Sequence, residues 1–345
     1  MDYGPSFLSR GIMEGARRNH FPPSGVSTST SHTTAVCERY VMPLEPGELY
    51  ELHLEDSRIE DLSEPVLVHA LAGFVDAGSA GKLAVDAILE SLEHFTLATF
   101  DADQLVDYRS RRPLMTFEQD RFTAFEAPEL KVVQVIDRAG TPFLLLTGFE
   151  PDFGWEGFVA AVGHIADRFG VRLTVGLNAI PMGVPHTRPT GLTSHANRDG
   201  LLTTAPFWNG SMQVPGHIGG LIEFRFGEAG RDAIGFAAHV PHYLARAEFP
   251  EASRELLQAA SEAGGLDLPT ERLTELAQAN RVAIDEQVSG SEEVANVVQA
   301  LEQQYDTFIS ARGKGLLADN APLPTADELG AEFEAFLAGR STVEE

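Results

Sequence analysis

The sequence is short of cysteine, lysine and long apolar runs, and each shortage excludes a class of protein. With Cys37 as the one cysteine among 345 residues, neither a disulfide within the chain nor a cysteine-based zinc site can be built. Only three lysines occur, Lys82, Lys131 and Lys314, and the formal charge is −26 at pH 7. So acidic a chain is repelled by phosphate backbones and anionic membranes, so nucleic acid and membrane surfaces are not expected as partners. No apolar run approaches the roughly 18 residues of a membrane span, and the N-terminus lacks the order of a secretory signal. Cytoplasm is the expected compartment. Hydrophobic residues, at 43%, suffice for a buried core.

Residues 1–41 differ from the rest. They carry the Ser/Thr-rich stretch Ser24 to Thr34, the pair Pro22 and Pro23, and no sustained apolar period. A flexible N-terminal tail is expected there, and Met42 is an alternative start of the native protein. From 42 to 248 the pattern is that of an α/β core. Val66 to Leu71 reads as a buried strand, Gly78 to His94 as a helix, and Val132 to Ile136 with Pro142 to Thr147 as a hairpin turning at Asp137-Arg-Ala-Gly140. Phe158 to Phe169 follows as a helix closed by Gly170, then strands at Leu173 to Ile180 and Asp232 to Val240. Strands alternating with helices, plus a tight hairpin, predict a three-layer α/β/α fold with a mixed sheet. After Pro241 the strand pattern stops. Helices are expected at 250–263, 270–288 and 291–311, the last with Ser291 as N-cap, so that 249–312 forms a helical hairpin region. It packs on the core or on another subunit. The last segment, 313–345, is a C-terminal tail with a short helix at 325–339.

Several polar constellations sit where an α/β protein keeps its chemistry. Gly73 to Lys82 follows a strand and opens a helix, as phosphate loops do, but Asp76 and Leu83 break the Walker pattern. Asp76 then caps the helix or touches a small molecule. Glu150, Asp152 and Glu156 gather around Trp155 after another strand. They suit acid/base work or cation binding, or else Asp152 caps the next helix while Trp155 seals the core. The stretch Pro181 to Arg198 carries His186, Arg188 and His195, and His239 and His242 follow with Pro241 between them. Those spacings fit no zinc motif. Histidines bonded to backbone at strand ends are the simpler expectation, with no metal and no cofactor. No Gly-x-Ser-x-Gly elbow and no spaced Cys/His pair is present.

Phe74-Val-Asp-Ala-Gly78, Glu150-Pro-Asp-Phe-Gly-Trp155, Met182 to Pro189 and His239-Val-Pro-His-Tyr-Leu244 together resemble the proteasome assembly chaperone 2 family, in its actinobacterial branch. The resemblance spans roughly 45–310. It implies a core similar to the phosphorylase/hydrolase-like fold, although that fold carries no activity by itself. It also implies oligomeric chaperones that dock on proteasome subunits, some of them through a hydrophobic–tyrosine–any C-terminus. Here Val343 suits the hydrophobic place and Glu344 replaces the tyrosine, which argues against docking by that tail.

The favoured expectation is a non-catalytic interaction or assembly-chaperone-like protein. Its partners would be itself, as a homo-oligomer such as a trimer, and proteasome subunits where the source encodes them. The alternative is an enzyme or binder of nucleoside- or phosphate-like ligands, in which Asp76, Glu150, Asp152, His186, Arg188 and His239 converge at the strand ends.

Overall fold

The computed structural model describes residues 46–55, 62–202 and 211–318, with side chains as far as residue 310. The expectations for 1–41, Met42, the 325–339 helix and the C-terminal Val343-Glu344 lie outside the described residues. The first strand, β1 (Tyr50–Leu52), follows a short 3-10 turn and lies at one edge of the sheet. Next come β2 (Val66–Ala72), α1 (Ala80–Ser91), β3 (His94–Phe100) and the single turn α2 (Ala102–Leu105). Two strands outside the main sheet, β4 (Met115–Glu118) and β5 (Arg121–Phe125), form a separate two-stranded sheet among the described residues. The core resumes with β6 (Leu130–Ile136), β7 (Pro142–Phe149), α3 (Trp155–Phe169), β8 (Leu173–Met182) and β9 (Leu192–Ala196). It closes with α4 (Ile218–Glu228), β10 (Ala233–Pro241), α5 (Pro250–Gly264), α6 (Glu271–Ser289) and α7 (Glu292–Ala318).

Eight strands form one mixed sheet in the order β1-β3-β6-β7-β2-β8-β10-β9. Its centre, β7-β2-β8-β10, is parallel, and antiparallel strands extend both sides. The β6–β7 turn explains one antiparallel wing. The Asp137 carboxylate accepts from the Thr141 amide at 2.7 Å, and Gly140 takes φ +86°, a conformation that suits glycine.

Side chains alternate across the sheet, which gives two cores. Val66, Val68 and Ala70 of β2 face α1 and α5, where Ile88, Leu256 and Leu257 are fully buried. Leu67 faces α3 and α4 with Phe158, Ile165 and Ile222. The result is three layers, α/β/α, as the alternation of elements predicts. Gly170, at φ +65°, caps α3, its amide donating to the carbonyls of Ala166 and Asp167.

Two expectations need correction. The helix read over Gly78 to His94 is α1 over Ala80–Ser91, and His94 already opens β3. Leu92 is extended, at φ −117° and ψ 148°, so the chain leaves the helix there and begins the alternating stretch His-Phe-Thr-Leu-Ala-Thr-Phe. The apolar stripe on α6 and α7 is also only partly used. Val298 and Leu301 are buried, whereas Leu276, Val294, Val297, Phe308 and Ile309 are exposed.

Candidate functional site

Because β2, β7, β8 and β10 run parallel, the loops at their C-terminal ends lie along one edge of the sheet. Every site residue expected from sequence, apart from His195 on β9, is on or beside one of these loops. They do not form one constellation. Their bonds divide them into separate lodgings.

Asp76 follows β2. Its carboxylate accepts from the amides of Gly81 at 2.6 Å and Lys82 at 3.3 Å, so it occupies the α1 donors that a phosphate would need. Burial raises its pKa, and those two amides pull it back down. The Gly78 amide is also engaged, donating to the Ala245 carbonyl at 2.8 Å. An added Cβ at Gly78 would lie 2.8 Å from that of Phe249. The loop that resembles a phosphate cradle is therefore packed beneath the segment leading into α5.

Glu150, at the end of β7, is the centre of a polar knot. One carboxylate oxygen accepts from the Phe74 amide at 3.0 Å and the other from the Ile218 amide, in the first turn of α4, at 2.8 Å. His217, the N-cap of α4, accepts from the Gly220 amide at 3.2 Å. His195 on β9 pairs with Glu223 of α4 at 2.7 Å. Beside them lies His69 of β2, which is 4% exposed. Burial, with His217 and His195 nearby, lowers its pKa from 6.5 to about 4. Burial lowers that of His217 as well. Glycines make the room: a Cβ at Gly176 or Gly219 would meet the His69 ring, and one at Gly235 would meet His195.

Asp152 does not cap α3, contrary to expectation. Gly154, at φ +64°, stands at the N-cap, and Asp152 turns away to accept from the Asp107 amide at 2.9 Å and to pair with Arg111 at 3.2 Å. Glu156 pairs with Arg225 of α4. Trp155 opens α3 half-buried against the core, and its indole N–H donates to the Pro151 carbonyl at 2.7 Å.

His186 and Arg188, after β8, clamp the helical hairpin. The buried ring of His186 bonds Tyr243 through Nδ1 at 2.6 Å and Asp285 of α6 through Nε2 at 3.1 Å, and its backbone carbonyl accepts from Arg281 at 2.5 Å. Arg188 forks onto Asp306 at 2.7 and 2.8 Å and reaches Glu302 at 3.2 Å. These two acids are one helical turn apart on α7 and so share a face. The Asp306 bond raises the Arg188 pKa further. Thr187 also donates to Glu302.

His239 shares a 2.8 Å bond with Thr193 across β10 and β9. His242 is exposed and stands edge-on to the Tyr243 ring. The expectation that the histidines bond backbone holds for His217, whose ring accepts from the Gly220 amide, and is corrected for His186 and His195, whose ring partners are side chains of other elements, while the His239 ring bonds the Thr193 side chain. Between the β8–β9 segment and α7 runs a groove of about 790 Å³, lined by Met182, Leu192, His239, Tyr305 and Phe308 among others. Among the described residues no group of three or more His, Cys, Asp or Glu is placed to hold a metal ion.

The sequence reading missed His69, Glu223, Asp285, Glu302 and Asp306. The one signal for His69 was a lone imidazole in an otherwise apolar strand. The acids lie on helix surfaces, Glu223 28 residues from His195 and Asp285, Glu302 and Asp306 99 to 118 residues from His186 and Arg188, and nothing local marks them.

A family model described as the PAC2 family matches residues 70–288, well over half of the sequence. The chain belongs to the PAC2 family. Among solved structures it is similar to a Mycobacterium tuberculosis protein of unknown function, with 47% identity and a TM-score of 0.74, over 80% of this chain and 94% of that one. A Corynebacterium glutamicum protein of unknown function is 36% identical, with a TM-score of 0.72, over 76% and 98%. A proteasome-assembly chaperone homologue from Mycobacterium tuberculosis is 25% identical, with a TM-score of 0.63, over 68% and 99%. No curated protein matches. The four segments that carried the resemblance all fall inside the PAC2 match and along the one sheet edge. Among the described residues of this PAC2 chain no helix is long and apolar enough to cross a membrane.

Proposed function

We propose that this PAC2 protein is a non-catalytic, assembly-chaperone-like protein that associates with itself and binds other protein surfaces, proteasome subunits among them where the source encodes a proteasome. The observation that carries the reading is a contrast along the strand-end edge. The charged groups there are bonded into loop anchors and helix clamps, while large apolar side chains stand open beside them. Phe74 is 72% exposed and Phe153 50%. Exposed apolar groups of this size mark protein contact surfaces. The similarity to a proteasome-assembly chaperone homologue supports the same class of activity.

The test is co-elution of the purified chain with proteasome α-subunits from its source, alongside light scattering of the chain alone. Self-association together with a stable complex supports the reading. A monomer that leaves α-subunits unshifted overturns it. A second reading rests on the groove against α7, whose volume of about 790 Å³ is the size of a small-molecule site. A thermal-shift series with nucleosides and phosphates tests that reading, and a saturable rise in midpoint abolished by His239→Ala favours it.

A further inference from the structure

Apolar side chains line both walls of the groove of about 790 Å³ beside α7. Tyr305, Phe308 and Ile309 contribute from the helix, and Met182, Val184 and Leu192 from the β8–β9 segment. Phe308 and Ile309 are each 43% exposed. On the helix the lining residues run from Ala300 to Ile309, while α7 itself continues to Ala318. An exposed apolar stripe of this kind marks a contact surface.

The sequence beyond α7 supplies a segment that matches it. After residues 319–324, Thr325-Ala-Asp-Glu328 has the spacing of a capping box, with Thr325 as N-cap. Leu329, Phe333, Phe336 and Leu337 then recur at the intervals of one helical face, and Gly339 stands where such a helix ends. Asp327, Glu328 and Glu334 fall away from that face. The connection 319–324, with prolines at 322 and 324, has a length that joins antiparallel helices.

We propose that residues 325–339 form a further helix that returns antiparallel along α7 and fills the groove of the same chain with Phe333, Phe336 and Leu337. Register supports this. Helices rise about 1.5 Å per residue, so a return that starts level with Ala318 sets those three residues beside residues 306–310, the stretch that holds Phe308 and Ile309. Charge supports it too. Residues 311–318 include Arg312 and Lys314 and no acid, and the same return passes Asp327, Glu328 and Glu332 beside them. Connectivity selects this end of the chain. The described chain enters at β1, at the edge of the sheet opposite β9, and leaves at α7 itself. So short a tether also gives this segment a higher local concentration than the same segment of a neighbouring copy. A groove filled in this way is closed to the small molecule of the second reading, and the protein-binding role does not depend on it.

The test is amide exchange of the full chain, read over 325–339 against a free peptide of the same residues. Protection at least about tenfold above the peptide, equal in dilute and concentrated protein, is expected. Ile309→Asp is expected to abolish it while β8 and β10 keep their rates. A segment that exchanges as fast as the peptide overturns the proposal. So does a protected segment indifferent to Ile309→Asp, which would lie elsewhere. Protection that rises with concentration gives the groove to a neighbouring copy's segment and rejects the same-chain seat. If Ile309→Asp does not fold, Thr307→Cys with Phe336→Cys in a Cys37→Ser background should form a disulfide within one chain on mild oxidation. A chain that stays reduced rejects the proposal.

Discussion

Two hairpins leave the α/β core, and they are held in opposite ways. The helical hairpin α6–α7 is fastened by polar groups projecting from the core. His186 holds Asp285, Arg188 holds Glu302 and Asp306, and Arg138 at the β6–β7 turn pairs with Glu271. It also buries Leu273, Ile284, Val298 and Leu301. Among the described residues the β4–β5 hairpin is tied at its foot, by Asp152 and by Arg111 on the Ala72 carbonyl, and every residue of its strands is exposed. The helices carry their own cover, whereas nothing among the described residues covers the ribbon. The same strand-end edge supplies the clamp for one and the anchor for the other.

The comparison breaks most severely if the polar knot around Glu150 is less structural than described. Glu150→Ala leaves the partly buried Phe74 amide and the buried Ile218 amide without an acceptor. It should cost about 2–4 kcal/mol of unfolding free energy by denaturant titration, at 1–3 kcal/mol per orphaned donor. A loss below 0.5 kcal/mol would remove Glu150 from that role, by the same principle.

The pH dependence of stability sharpens the same point. The pKa of His69 falls from 6.5 to about 4 on folding. Above 6.5 the imidazole is neutral in both states and its contribution is whole. As the pH drops toward 4 the unfolded chain takes up a proton that the folded chain resists. About 3 kcal/mol should be lost across that window. Burial shifts His217 in the same direction. The neighbouring Glu150 and Glu223 carboxylates oppose that shift at His217. Unfolding midpoints measured from pH 7 to pH 4.5 check this, and His69→Gln should flatten the slope.

A smaller and more local effect is expected at the clamp. Arg188→Ala removes the fork onto Asp306 and the bond to Glu302. Amides of α7 should then exchange faster while those of β8 and β10 keep their rates. Uniform loss of protection over the whole chain would mean that the helical hairpin is not a separable element.

Much of the fold was legible because it follows from local pattern. The apolar run of β2, the turn at Asp137 to Gly140 and the glycine closing α3 each fix a backbone choice within a few residues. The strands β1, β3, β4 and β5 were not read. In β3 the alternating residues directly follow a helix with only Leu92 and Glu93 between, so two periods blur into one. In β4 and β5 the apolar side faces no core, and the pattern has no buried reference. At the site, Asp76, Glu150, His186 and Arg188 were visible as polar residues in loops, but their partners were not. Asp152 was assigned to the nearest helix, whereas the structure gives it to Arg111 and the Asp107 amide, more than forty residues upstream. Pairings of that kind depend on topology, which local sequence does not encode.

Amide exchange of the full-length chain at two concentrations, reading both hairpins in one experiment, tests the central claim most directly. The account predicts that α6–α7 is protected at both concentrations while β4–β5 exchanges freely in the dilute protein. A β4–β5 segment as strongly protected as α6–α7 in the dilute protein would contradict it.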